Sequence, residues 1–394
     1  MLSVYEGFFS GGARIVHSDI VLGLTEGGQH HEVLSLYGEV HREATRQRMA
    51  DDTCYRALTA AGVGVTTLGR TFRGTGVSAD FTGAELAETA RATAGADVIL
   101  SLKEQPLGLL NQAGLPRRPV VVCLHRSDPQ NQGAALDELK AAIADGTVVA
   151  CVCCAESTRA AYLAAGIPAG LLHVIPNGVD LFRFRPDAAR RLAVRTELGI
   201  DPAAPVVVFA ARYDAMKNVP LLLAAARAWL DRVPDGQVLM CGAGMAAANT
   251  GLTADIAEAF GARQGLTGRL RLLGVRRDME GLYAASDVVA LTSAWGEAAP
   301  LCLIEGMMCG AVPVATDVGD SAAIVAGHGL ITAPDPEEIA AAWSQAAASR
   351  TDLAPALAAS RERFSRTRMI ASYAALLDRA AADVFREFDE SPAG

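Results

Sequence analysis

Two carboxylates, Glu297 and Glu305, stand eight positions apart in the run Trp295–Asp317, with Pro300 between them. The spacing predicts a loop that holds Glu297 and a helix that holds Glu305 one turn in, followed by a strand. Both side chains can then face one ligand at the helix N-terminus, where backbone N–H groups without intrahelical partners favour phosphate. Carboxylates in that position accept hydrogen bonds from sugar and ribose hydroxyls. The same spacing, taken alone, is also that of a solvated loop followed by a helix face. Arg212 and Lys217 lie in Ala211–Asn218, just after the apolar run Val206–Ala210. An arginine can fork onto phosphate oxygens and a lysine adds a point charge, although an arginine and a lysine on a loop are, by residue type alone, equally a solvated pair.

These residues must be positioned by a sheet. Short β-branched runs alternate with alanine-rich helical stretches along the whole chain, the pattern of parallel sheets covered by helices on both faces. Strands are expected at Leu2–Tyr5, Glu32–Tyr37, Val63–Leu68, Asp97–Leu102, Val120–Leu124, Val148–Cys153 and Leu172–Ile175 in the first half. In the second half they are expected at Val206–Ala210, Val238–Cys241, Leu270–Leu273, Val288–Leu291 and Val312–Ala315, with a helix over Val219–Arg232. The fold class is therefore α/β, with two Rossmann-like units. Prolines 186, 202 and 205 interrupt the pattern around a short helix at Ala188–Leu198, which marks the join. Doubly wound sheets bind ligands beyond the carboxyl ends of their strands, so two such units are expected to face each other across a deep cleft.

The block around Glu297 and Glu305 resembles the nucleotide-sugar motif of retaining glycosyltransferases of family 4. Thr316–Val325 and Gly327–Leu330 resemble the C-terminal lobe of that family. Leu172–Asp180, with Phe184 and Pro186, is similar to the segment that ends its N-terminal lobe, and Ala211–Asn218 to the loop whose basic pair grips the donor diphosphate. The resemblance covers most of the chain, most closely its second half. It implies a GT-B fold, with an acceptor domain at 1–185, a nucleotide-sugar domain at 186–360 and a helix at 361–388 that crosses back onto the first domain. Helicity is expected over Ser360–Glu387, which carries Phe364, Met369, Tyr373 and Leu377, and only Asp389–Gly394 reads as disordered.

The resemblance also implies roles. Arg212, Lys217, Glu297 and His125 become the catalytic set, His125 ending the strand Val120–Leu124 and contacting the donor sugar. Glu297 would hold the transferred sugar, with Ala298, Ala299, Pro300 and Leu301 near the sugar or the phosphates, and Glu305 would hold the ribose. The alanines at 298 and 299 depart from the bulkier or glycine residues usual in the family, which leaves the sugar open. Gly242 and Gly244, and Arg276 with Arg277, lie on strand-end loops where the base would be read. In Phe9–Ala13, which includes Ser10, the glycine pair ending at Gly12 allows close backbone approach to phosphate or acceptor.

The implied reaction is retaining, front-face transfer from a nucleotide diphosphate sugar, a UDP-sugar being favoured over GDP. It needs no cofactor and no metal. A nucleotide-sugar 2-epimerase of the same fold, or a non-catalytic sugar-nucleotide binder, are the alternatives. Family members that act on membrane lipids carry a basic amphipathic helix near the N-terminus, whereas Arg14–Glu26 has mixed charge. A small soluble acceptor is therefore expected. Val4–Asp19 resembles the opening of actinomycete glycosyltransferases that extend a 2-deoxystreptamine pseudodisaccharide in aminoglycoside assembly. Glu6, Asp19 and Asp128 are candidate contacts for such a cationic acceptor.

Composition sets outer limits. A chain of 394 residues, 51% hydrophobic, exceeds one core and suits two. The net charge of −9, with no Lys/Arg tract, argues against nucleic acid and against an anionic membrane surface. No apolar stretch reaches a membrane span and the N-terminus has no signal-peptide pattern, so a cytoplasmic monomer or homodimer is expected. The eight cysteines mostly lie in apolar runs and read as buried thiols. Cys151, Cys153 and Cys154 have no companion cluster at metal-site spacing.

Overall fold

The structure, a computed structural model, describes residues 1–9, 11–42, 45–73 and 80–389. They fall into two compact units: Met1–Gly178 with the terminal segment from Arg366, and Val179–Ser365. The expected Ser10, and positions 390–394 of the expected terminal tail, lie outside the described residues.

The first unit is built on β1 (Leu2–Gly7), β2 (Glu32–Arg42), β3 (Thr45–Arg48), β4 (Gly64–Phe72), β5 (Ile99–Leu102), β6 (Val120–Leu124), β7 (Val148–Cys153) and β8 (Leu172–Val174). The sheet order is β3-β2-β1-β5-β6-β7-β8, with β4 also pairing β2. All pairings are parallel except β2 with β3. The short β3 was not expected, because Thr-Arg-Gln-Arg has no apolar face to announce it. Leu2 and Val4 face one core cluster and Tyr5 another, as alternation in a sheet covered on both sides requires.

The second unit is an all-parallel sheet of β9 (Val206–Ala210), β10 (Gln237–Cys241), β11 (Leu270–Gly274), β12 (Val288–Leu291), β13 (Val312–Thr316) and β14 (Leu330–Thr332), in the order β11-β10-β9-β12-β13-β14. Val206 and Val208 enter one cluster and Val207 and Phe209 the other, which places β9 at the centre with both faces buried. The β14 edge, three residues long, also escaped the sequence pattern.

The division lies at Gly178/Val179 rather than at 185/186. Phe184 packs into the second unit's core, and the Val179 N–H donates to the Phe364 carbonyl at 2.9 Å. At the other end the expected continuous helix is interrupted. A 3-10 turn at Arg361–Phe364 buries Phe364 in the second unit, and a new helix runs from Arg366 to Asp389. Its Met369, Tyr373 and Leu377 are buried, and the Tyr373 hydroxyl lies 3.7 Å from the Cys123 sulfur of the first unit. All eight cysteines are free thiols, with Cys54 and Cys302 half-buried and the others buried.

Candidate nucleotide-sugar and acceptor sites

In the second unit the chain leaves the central strand β9 toward β10, while β12 pairs on the other side of β9. The loops after β9 and β12 therefore diverge at a topological switch point, where a crevice opens in such sheets. Arg212 and Lys217 sit on the first loop, Glu297 on the second. Arg212 lies 3.2 Å from Asp214, whose carboxylate also accepts from the Met216 N–H at 3.0 Å. Asn218 adopts a left-handed conformation (φ 49°) and caps the helix Val219–Arg232. Asparagine tolerates that region better than most residues.

This turn directs Lys217 at Glu297. The ammonium contacts Glu297 Oε1, and the Ser293 hydroxyl donates to the same oxygen at 2.6 Å. Two further bonds lock the loops together: Thr292 Oγ1 donates to the Lys217 carbonyl at 3.0 Å, and the Ala294 N–H to the Met216 carbonyl at 2.9 Å.

Glu305 lies on the helix Leu301–Met308, which begins at Pro300 with no side-chain cap. Gly306 lets this helix approach β12, since a Cβ there would meet Val289 at 2.7 Å. The Tyr283 hydroxyl bonds to Glu305, and burial, reinforced by that carboxylate, holds the phenol well above its ordinary pKa. Burial pushes the Cys302 thiol up to about 12, and the same thiol lies within the fields of Lys217, Glu297 and Glu305. These three charged groups thus converge on the first turns of one helix. Behind them, the Asp320 N–H donates to the Ala298 carbonyl at 2.8 Å, and a Cβ on Gly319 (φ +61°) would stand 2.4 Å from the Glu297 carbonyl oxygen.

The other expected donor contacts are held differently. Gly242 (φ +137°) abuts the Ala211 carbonyl, which a Cβ would meet at 2.0 Å, and a Cβ on Gly244 would meet Tyr213 at 2.8 Å. Both glycines thus have a packing reason to be there. Arg276 bridges Asp278 (2.6 and 2.8 Å) and Glu197 (2.7 and 3.2 Å), fastening its loop to the helix Ala188–Glu197. Arg277 is exposed, and its carbonyl accepts from Arg183.

In the first unit Gly12 is the exposed first residue of the helix Gly12–Glu26. Glu6 ends β1 and lies 3.4 Å from the ammonium of Lys103, which follows β5. Asp128 is held by the Arg126 fork at 2.5 and 2.6 Å; burial alone would raise its carboxyl, and Arg126 brings it below the ordinary value. Asp19 instead meets Arg366 of the terminal helix at 4.0 Å. The three acidic candidates therefore do not share one set of partners. His125 has no hydrogen-bond partner at Nε2, and burial, helped by the charge of Lys103, lowers its pKa to about 3. It is a neutral imidazole near neutrality.

Sequence reading missed Ser293 and Tyr283, which become visible only once the loop and helix are paired. It also missed Lys103 and Glu104, although both directly follow a buried strand, the same signal that singled out His125. Among the described residues no three His, Cys, Asp or Glu side chains are grouped to share a cation, and no helix is long and apolar enough to cross a membrane.

Residues 10–183 match the sequence profile described as Glycosyltransferase Family 4, and residues 204–349 that of Glycosyl transferases group 1. A D-inositol 3-phosphate glycosyltransferase of Corynebacterium jeikeium is 32% identical over 171 residues, covering 40% of each chain. Its counterpart in Xylanimonas cellulosilytica is 30% identical over 203 residues, covering 50% of this chain and 46% of that one. The chain thus spans less than half the length of these relatives. Among solved structures, HepE of Anabaena in complex with UDP superposes with a TM-score of 0.77 at 22% identity, covering 96% of this chain and 99% of that one. Sucrose-phosphate synthase of Thermosynechococcus elongatus gives 0.70 at 19%, covering 97% and 99%.

Proposed function

We propose, for a chain that has the GT-B fold and whose halves match the family 4 and group 1 glycosyltransferase profiles, that it transfers a sugar from a nucleotide diphosphate sugar to a small soluble acceptor. The observation that carries this reading is the convergence of Lys217, Glu297 and Glu305 on one helix start at the β9/β12 switch point. A UDP-sugar is the favoured donor, in keeping with the UDP held by HepE.

In this reading Arg212 and Lys217 neutralise the charge that gathers on the diphosphate as the anomeric C–O bond breaks. Such preorganised contacts contribute on the order of 2–4 kcal/mol to the transition state. The acceptor oxygen bonds to the anomeric carbon on the face the diphosphate leaves, and its proton passes to the departing phosphate oxygen. Configuration is retained, and no metal takes part. Lys217 is held by Glu297, whose Oε1 also accepts from the Ser293 hydroxyl, so its ammonium is fixed in position. Glu297 then holds a hydroxyl of the transferred sugar and Glu305 the ribose.

The first unit receives the acceptor. The D-inositol 3-phosphate glycosyltransferases name a phosphorylated polyol, whereas the opening segment of this chain and the acidic Glu6 favour a cationic polyol, an aminoglycoside pseudodisaccharide containing 2-deoxystreptamine. The test is donor turnover with and without acceptor, before and after exhaustive chelation. Nucleotide release that depends on acceptor and survives EDTA is expected. Conversion of the donor with no acceptor present would favour an epimerase, and restoration by Mg²⁺ after chelation would remove the role given to Arg212 and Lys217.

A further inference from the structure

The two units repeat one device. In the second, the loops after β9 and β12 are joined across the switch point by a lysine–glutamate pair, Lys217 with Glu297. In the first, the chain passes from β1 to β2 on one side while β5 pairs on the other, so the switch point lies between β1 and β5. A lysine–glutamate pair spans it too, Lys103 with Glu6 at 3.4 Å.

What lies behind that pair has no structural justification. Glu104 is 1% exposed, and its Oε1 has no hydrogen-bond partner. Its carboxyl is more buried than Glu6 and Lys103, yet lies within the fields of Lys103, Arg126 and Glu6. Both nearby cations are already committed, Lys103 to Glu6 and Arg126 to Asp128. The carboxyl's one hydrogen bond is from its own backbone N–H, and burying a carboxyl with an oxygen left unanswered opposes folding; such groups gather where a ligand completes them. Burial holds this one up at about 7. Lys103 adds a second cost: it is a non-glycine residue at φ +68°, held there by Ser101 Oγ donating to its carbonyl at 2.8 Å and by its own N–H donating to the Cys123 carbonyl at 3.0 Å.

We propose that Glu6, Lys103 and Glu104 form the acceptor-recognition site of the first unit, and that its ligand is a polyol bearing a protonated amine, which takes the place of Lys103 against Glu6 and supplies the partner Glu104 lacks. This rests on the glycosyl-transfer reading above. A cation fits because the site holds two carboxylates against one ammonium, and because an ammonium donates to both acids where a neutral hydroxyl has one proton to give.

The test uses the full chain with UDP present, titrated by calorimetry with 2-deoxystreptamine and with myo-inositol. The wild type should bind the diamine at least ten-fold more tightly than the neutral cyclitol. Glu104→Gln should erase that preference and leave UDP affinity unchanged. Lys103→Gly, which relieves the left-handed residue and removes the competing ammonium, should bind the diamine several-fold more tightly. This second variant decides the matter if Glu104→Gln fails to fold. Equal binding of the two probes by wild type, a preference that survives Glu104→Gln, or weaker diamine binding in Lys103→Gly would overturn the proposal while UDP binding and donor turnover stand. Absence of UDP binding and turnover in the wild type would overturn the transfer reading, and this proposal with it.

Discussion

Lys217 and Glu297 are in contact, with Ser293 fixing the same carboxylate oxygen. An incoming diphosphate therefore meets a lysine that has already lost most of its freedom, which lowers the entropy cost of gripping it. Glu104 is the opposite case, a carboxyl with one oxygen unanswered, and it makes a stability prediction. Its folded pKa of about 7 lies above the ordinary 4.5, so between those pH values the folded chain keeps a proton that the unfolded chain releases. That stabilisation is complete below pH 4.5 and is lost as pH rises to 7, a total of about 3 kcal/mol. His125 acts with the other sign: its pKa falls from 6.5 to about 3, so its contribution is present above 6.5 and lost as pH falls. Comparing Glu104→Gln with wild type isolates the first effect. The melting temperature of the variant should gain on wild type between pH 5 and 7.5, and a gap that stays constant would contradict the buried-acid account. The place of Glu104 after a buried strand was legible in the sequence, but its burial was not, because Ser-Leu-Lys-Glu-Gln reads as a polar strand exit.

Elements carry the second kind of information. The side chains of interest stand at or after strand ends: Glu6 within the last residues of β1, the neutral His125 after β6, Arg212 after β9, Glu297 on the loop after β12 and, passed over in the sequence, Lys103 after β5. That much was legible, because buried parallel strands announce themselves as continuous apolar runs, and Val120–Leu124, Val148–Cys153, Val206–Ala210 and Val288–Leu291 have the bounds the sequence indicated. Loop-to-loop support was not. Gly319 reads as an ordinary turn glycine, yet it packs against the backbone of Glu297 and Ala298 from a different strand end. Gly319→Ala should cost about 2 kcal/mol or more, since it combines a left-handed conformation with a close backbone approach. It should also lower donor turnover by displacing Glu297. Unchanged melting and unchanged turnover would remove the loop after β13 from the site. Arg276 shows another such support: its side chain bridges Glu197 and Asp278 and so fastens the loop after β11.

At the scale of the molecule, each unit is built on a sheet, all-parallel in the second and parallel but for β3 in the first, with a lysine–glutamate pair across its own switch point, and the second unit adds Glu305 on the helix that begins beside its pair. In the proposed function this second site holds a nucleotide diphosphate sugar, with the two glutamates on different parts of it. Calorimetric titration with UDP, run on wild type, Glu305→Ala and Glu297→Ala, tests that most directly. UDP should bind the wild type. Glu305→Ala should weaken binding by roughly 1.5–3 kcal/mol, the worth of hydrogen bonds to a charged group, while Glu297→Ala should leave UDP affinity nearly unchanged because its sugar partner is missing from the probe. No binding of UDP by the wild type, or equal losses in the two variants, would contradict the claim.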